Sequence, residues 1–389
     1  MTNHSNQIKR INEKLLQAQN IDYKLKVFGA DSHKYVVNNP VAPYKVIEFE
    51  REYSVELPSC YKAFILEFGN GGISFANSAA GPYCGIYPLG ELVDEICDAR
   101  KSLKNECIIV PKMTNEDWEK LTEKMNSDET SDEDFDVEIE KIYGGIMPLG
   151  SQGCTYLHGL ILNGQYKGKV VNLDLDRGKP RFTFEDNFLD WYERWLDEII
   201  SGDLMSDSAS WFGYSKGGTE QQLLADFINS TNENDKVENL SGLYAKKRLS
   251  EELLACLESL IPQNQNLKNS LVTLLCKYNY ERAKPYLIEL IDTDLCFVFE
   301  KLHYYAKDKS VEWLPIIENN IGKIKDAGTL KYCLFVLEKT GVDFTHLVLP
   351  FTKSEDEYMQ AHARHSLERL EEMKKTAKKK GIFSFLFKN

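Results

Sequence analysis

The sequence predicts two parts of different class. The first is α+β, with a mainly antiparallel sheet flanked by helices; the second is all-α and helical-repeat-like. Three observations predict this. Up to residue 205, helical apolar spacing brackets a run of short extended segments with turn residues between them. Beyond residue 219 the apolar spacing is helical throughout. The charge divides at the same place: residues 1–205 hold 34 acidic and 22 basic side chains, net −12, and residues 206–389 hold 26 and 25, net −1. The expected organisation is a first domain at 1–205, a Ser- and Gly-rich linker at 206–218, a helical domain at 219–372 and a basic, aromatic tail at 373–389.

In the first domain, residues 5–19 read as an amphipathic helix with Ile8, Ile11, Leu15 and Leu16 on one side. A short helix follows at 46–57, with Val46, Phe49 and Tyr53 as its apolar positions. Pro58 then opens a helix at 59–68 whose buried face is Tyr61, Phe64, Ile65 and Phe68. The run Gly69-Asn70-Gly71-Gly72 ends it as a left-handed cap and turn. Residues 85–89 read as extended and 92–103 as helical. Strands are expected at 146–149, 155–162, 169–175 and 181–184, with a hairpin-type Asn163-Gly164 between the second and third. Phe188, Trp191, Tyr192, Trp195, Leu196 and Ile199 form a broad apolar stripe on a closing helix, stopped at Gly202.

Residues 115–140 stand apart. They hold 12 acids against Lys120 and Lys124, net −10, so most of the first domain's charge is in this one block. Composition favours a solvated, partly disordered loop. The functional alternative is an acidic surface for a basic partner, with Asp128, Glu129, Asp132, Glu133, Asp134 and Asp136 as the candidate contact residues.

The second domain opens with a helix at 220–228. Ser250 caps another at 251–261, which Pro262 stops. Further helices are expected at 267–278, 281–292, 294–306, 310–320, 328–340 and 355–374. Pro285, Pro315 and Pro350 each fall near an expected helix start, a faint repeat, and the last segment resembles the second half of a HEAT-type repeat. A stacked solenoid is slightly favoured over a plain bundle. Within the linker, Trp211 and Phe212 are expected to pack on a neighbouring domain. The tail holds six lysines and no acids, with Phe383, Phe385, Leu386 and Phe387 near its end. That end reads either as frayed or as a weak contact with an anionic membrane surface.

Composition excludes several functions. The chain has 389 residues, 42% of them hydrophobic, which suffices for an ordinary core. Its net charge of −13 argues against direct nucleic-acid binding. No run approaches the length of a membrane span, the start lacks a secretory apolar core, and nine irregularly spaced cysteines suit a reduced compartment. A cytoplasmic location is expected. No phosphate loop, Cys-x-x-Cys or His-Glu-x-x-His occurs, so no cofactor, metal or catalysis is expected. His362 and His365 read as helix-surface residues, and Asp174 and Asp176 as turn residues. His158 reads as structural in an apolar strand. Cys60, Cys84, Cys97, Cys107 and Cys154 read as small buried side chains.

A short helix from Phe49, Leu57-Pro58, the helix bearing Tyr61 and the turn at Gly69-Asn70-Gly71-Gly72 resemble, in that order, the opening of the SUKH superfamily. The run from Ile146 to Gly153 resembles its next strand and turn. Residues 170–174 and the helix beginning near Asn187 resemble its closing segments. The resemblance covers roughly residues 40–200. The acidic block lies outside the usual core, and Cys154-Thr155 stands where many members carry a polar Gly-Asp turn. The resemblance implies a binding module. Many bacterial members are immunity proteins that neutralise polymorphic or contact-delivered toxins, often nucleases, and fungal relatives regulate cell-wall assembly. The expected partner is therefore a cognate toxin, with a regulatory or scaffold role as the alternative.

Overall fold

The structure is a computed structural model in which residues 4–205 and 211–379 are described. The chain forms two compact units, residues 1–229 with 245–247, and residues 230–244 with 248–389. The expected linker at 206–218 lies upstream of that division, because helix Glu220–Asn229 goes with the first unit.

The first unit opens with α1 (Ser5–Ile21), α2 (Pro43–Tyr53) and α3 (Ser59–Ala63). In α1 the buried residues are Ile8, Ile11 and Ala18, while Leu16 is exposed. Pro58 precedes α3 as expected, and the helix continues into a wider π turn, Phe64–Phe68. All four residues of the expected face, Tyr61, Phe64, Ile65 and Phe68, are buried. Gly69 is extended, with φ 165°, and only Gly71 of the following run is left-handed, with φ 76°. Gly69 answers to close approach instead: a Cβ there would lie 2.3 Å from the Asn38 carbonyl oxygen.

The segment 92–103 is not the expected helix; only Ala99–Ser102 is helical. The Asp94 carboxylate accepts from the Ala99 N–H and that of Asp98 from the Arg100 N–H, so local turns take the backbone donors a longer helix would use.

Four antiparallel strands follow in the order of the chain: β1 (Ile146–Gly153), β2 (Tyr156–Ile161), β3 (Val170–Asp174) and β4 (Arg181–Phe182). The extended segment near Gly85 runs along β1, with the Tyr87 N–H donating to the Leu149 carbonyl at 2.9 Å. The sheet buries both faces. Met147, Leu149, Leu160 and Val170 point to a core shared with α1, α3 and the closing helix. Ile146, Leu157, Ile161, Val171 and Leu173, at the alternate positions, point to a second core.

That second core explains the acidic block, which is folded and not the expected loop. It forms α4 (Asn115–Thr122) and α5 (Asp132–Ile142), and Trp118, Met125 and Ile142 from this segment cover the second face of the sheet. The closing helix α6 (Phe188–Ile200) is capped by Asn187, packs on α1 and buries Trp191, Tyr192 and Trp195. Helix α7 (Glu220–Asn229) ends the unit. Before it, Phe212 packs on Trp191 at 5.8 Å between ring centroids, whereas Trp211 is 74% exposed and touches Tyr214. Phe212, from the expected linker, thus packs on the first domain as expected, whereas Trp211 does not.

The second unit is helical: α8 (Glu233–Ala245), α9 (Glu251–Leu260), α10 (Lys268–Tyr278), α11 (Tyr280–Leu290), α12 (Leu295–Lys301), α13 (Leu314–Asn320), α14 (Ala327–Thr340) and α15 (Glu357–Lys379). From α9 to α12 each helix packs on the next; α12 also packs on α14, and α14 on α15. Ser250 caps α9 as expected. Pro315 opens its helix and Pro350 a 3-10 turn, but Pro285 lies inside α11, so the repeat of helix-opening prolines does not hold there. The tail residues Phe383, Phe385, Leu386 and Phe387 lie outside the described residues.

Candidate protein-binding surface

Helices α4 and α5 begin at side-chain caps. Thr114 and Asp117 form a reciprocal capping box, with the Asp117 N–H donating to Thr114 Oγ1 at 3.0 Å and the Thr114 N–H to Asp117 Oδ2 at 2.9 Å. The Thr114 hydroxyl and N–H hold the Asp117 carboxyl below its usual range. Ser131 caps α5 by accepting from the Asp134 N–H at 3.2 Å. Asp132, Glu133 and Asp134 then occupy the first turn, where the helix dipole favours negative charge.

Apolar side chains fix this pair to the sheet. Trp118 is 5% exposed, and its indole N–H donates to the Arg177 carbonyl in the β3–β4 turn at 3.0 Å. The Arg177 guanidinium lies over the Phe135 ring at 5.1 Å and donates to Asn126 Oδ1 at 3.1 Å.

Asp128, Glu129, Asp132, Glu133, Asp134 and Asp136 are all exposed. Asp128 and Asp132 come together at a shallow cleft lined also by Met125, Thr130, Phe135 and Arg177. Asp136 follows Asp132 by one turn on α5. Asp134 stands apart: Lys124 pairs with it at 3.3 Å and with Glu138 at 3.3 Å. The Ser131 hydroxyl, then Lys124, hold the Asp134 carboxyl below its usual range. Asp134 thus ties α5 to the end of α4, while the other five present their charge to solvent. Arg177 is the residue that sequence reasoning missed here. It read only as part of a turn; its neighbours Asn126 and Phe135 are distant in sequence and arrive through the fold.

The remaining chemical candidates fall into structural roles. His158 is fully buried and donates through Nδ1 to Asn172 Oδ1 at 3.1 Å; burial pushes its imidazole down to about 3. Gln152 donates to the same oxygen at 2.9 Å and accepts from the Tyr214 hydroxyl at 3.0 Å. Asp174 and Asp176 both accept from the Thr155 hydroxyl, at 3.3 and 3.2 Å. Cys60 and Cys107 are buried as expected, but Cys84 and Cys97 are only partly so and Cys154 is exposed, at a β1–β2 turn where its φ is 51°. Among the described residues no group of three His, Cys, Asp or Glu side chains is placed to hold a metal ion. No described helix is long and apolar enough to cross a membrane.

An antiparallel meander between helices, with a Leu-Pro entry and a tryptophan-rich closing helix, defines the class of the first unit. Residues 40–194 match the SMI1/KNR4 family (SUKH-1). The match runs from the residues before α2 to the middle of α6, and the acidic pair α4–α5 lies within it. No curated protein and no solved structure matches the chain. The SUKH-1 match fits an immunity or regulatory role exerted by binding partner proteins.

Proposed function

We propose that this chain is a non-catalytic immunity protein that neutralises a polymorphic or contact-delivered bacterial toxin in the cytoplasm. The acidic α4–α5 pair covers the toxin's functional site. One observation carries the reading: the most acidic block of the chain is a capped helix pair anchored on the sheet of the SUKH-1 region, with Asp128, Glu129, Asp132, Glu133 and Asp136 directed outward. A prefolded surface loses little conformational entropy on docking. Its charge suits a nuclease, whose cleft must be basic to hold phosphates. Opposite charge would speed encounter and fix the register of the complex.

Survival of cells that co-express the chain with the toxin encoded by the neighbouring gene tests the reading. Rescue by the intact chain, lost when Asp128, Glu129, Asp132, Glu133 and Asp136 are replaced by Asn or Gln, is the expected result. Failure of the intact chain to rescue would overturn it in favour of a regulatory scaffold.

A further inference from the structure

The helical unit carries a surface of opposite character. A run of ring contacts joins the C-terminal end of α8 to α14. Tyr244 meets Tyr305 through their hydroxyls at 2.7 Å. Tyr305 and Tyr304 lie 6.3 Å apart between centroids, and Tyr304 reaches Tyr332 at 6.3 Å. His303 packs on Phe335 at 4.8 Å. The central three residues sit on a π turn, Leu302–Ala306, which widens the helix. Tyr304 is 55% exposed, high for an aromatic ring packed on its neighbours.

Lysines edge these rings. Lys277 lies 4.3 Å from the Tyr244 centroid, and Lys331 5.9 Å from that of Phe335. Lys339 donates to the His303 carbonyl. Among the described residues neither Lys331 nor Lys339 forms an ion pair, unlike Lys268, Lys284, Lys309, Lys323 and Lys374. Burial without a carboxylate pushes the Lys339 ammonium down from its ordinary range. His303 is likewise pushed down by burial and by these two lysines, and its Nδ1 has no hydrogen-bond partner. Glu300 acts electrostatically on Tyr305 and Tyr332 and pairs with Lys301 at 3.2 Å, and Glu338 pairs with Arg369 at 3.0 Å. The patch therefore combines the exposed rings of Tyr244 and Tyr304 with two lysines, Lys331 and Lys339, that form no ion pair among the described residues.

We propose that this tyrosine–lysine ridge is a docking surface for an acidic polypeptide segment of a partner protein, with carboxylates on Lys331 and Lys339 and apolar side chains on the rings of Tyr304, Tyr332 and Phe335. Two arguments favour a polypeptide over a nucleic acid. A nucleic acid brings a charge at every phosphate and needs a tract of clustered cations, whereas this ridge offers Lys331 and Lys339. Tyrosine offers an apolar body and a polar tip, the combination enriched at protein interfaces. The inference is independent of the acidic α4–α5 surface, which is of the other sign and on the other unit.

Fluorescence anisotropy on the full chain tests it, with a fluorescein-labelled peptide of alternating Glu and Leu as the probe. The expected result is binding that weakens about tenfold or more in the double variant Lys331→Glu/Lys339→Glu, and separately in Tyr304→Ala. These positions are surface ones, so melting temperatures should match the parent, and a matched Lys–Leu peptide should keep its affinity for the charge-reversed variant. Absence of binding by the Glu–Leu peptide, or binding that both variants leave unchanged, would overturn the proposal. Preferential binding of a labelled oligothymidylate through the same lysines would also overturn it.

Discussion

His158 and His33 are the two histidines that the first unit buries, one in β2 and one after α1, and both are held neutral. Burial pushes His158 to about 3 and His33 to about 4. An unfolded imidazole takes up its proton near pH 6.5, so the unfolded chain binds more protons than the folded one below that pH. The stabilisation is present above pH 6.5 and is lost as pH falls toward 3 or 4. Each histidine is expected to remove about 1.4 kcal/mol of stability per pH unit in that window, or about 2 kcal/mol by pH 5. Urea unfolding at pH 7.5 and pH 5 measures this, and His158→Gln should remove its share of the slope. Arg194 is a second residue whose burial has a consequence. Its guanidinium, 9% exposed, bonds Glu185 at 2.6 Å, Glu198 at 2.7 Å and the Ser215 carbonyl at 2.7 Å. Arg194→Met is expected to cost about 3–5 kcal/mol in urea unfolding, because it leaves two buried carboxylates unpaired. A loss below about 1 kcal/mol would show that the clasp is not formed.

The helix pair α4–α5 decides how the acidic block is understood. Its acids outnumber its apolar residues, and composition alone therefore pointed to a loop. The folding signal was nevertheless in the spacing: Trp118, Leu121, Thr122 and Met125 fall on one helical face, as do Phe135, Glu138, Ile139 and Ile142. Thr114 with Asp117, and Ser131 with Asp134, mark the two starts. Trp118→Ala is expected to cost about 3–5 kcal/mol, and Thr114→Ala about 1 kcal/mol, in urea unfolding. A disordered loop would give no change in either. The strands were legible as short apolar runs between turn residues, and α6 because its 3.6-residue apolar pattern was uninterrupted. Helix α8 was not foreseen, since its first turns are polar and only Leu240 and Leu243 are buried among its large apolar residues. The helix expected at 92–103 failed for the opposite reason, as Asp94 and Asp98 divert its backbone donors. Of the candidate contact residues, all six proved exposed, but the sequence could not separate Asp134, which Lys124 engages, from the rest.

At the scale of the whole molecule, charge and architecture divide together: a unit that contains the SUKH-1 match and holds nearly all the net charge, and a helical unit close to neutral that carries the tyrosine–lysine ridge. Docking by the acidic pair implies an association rate that falls with ionic strength, while the rate of dissociation changes less. Rapid-mixing kinetics across a salt series should show this for the intact chain, and a flattened dependence for the variant neutralised at Asp128, Glu129, Asp132, Glu133 and Asp136. The most direct test of the central claim is co-purification of the full chain with the product of the neighbouring gene, with stoichiometry read from the mass of the complex. A stable one-to-one complex that forms with the intact chain and is lost on removal of residues 128–136 is the predicted result. No complex, or one whose formation and salt dependence survive that deletion unchanged, would contradict it.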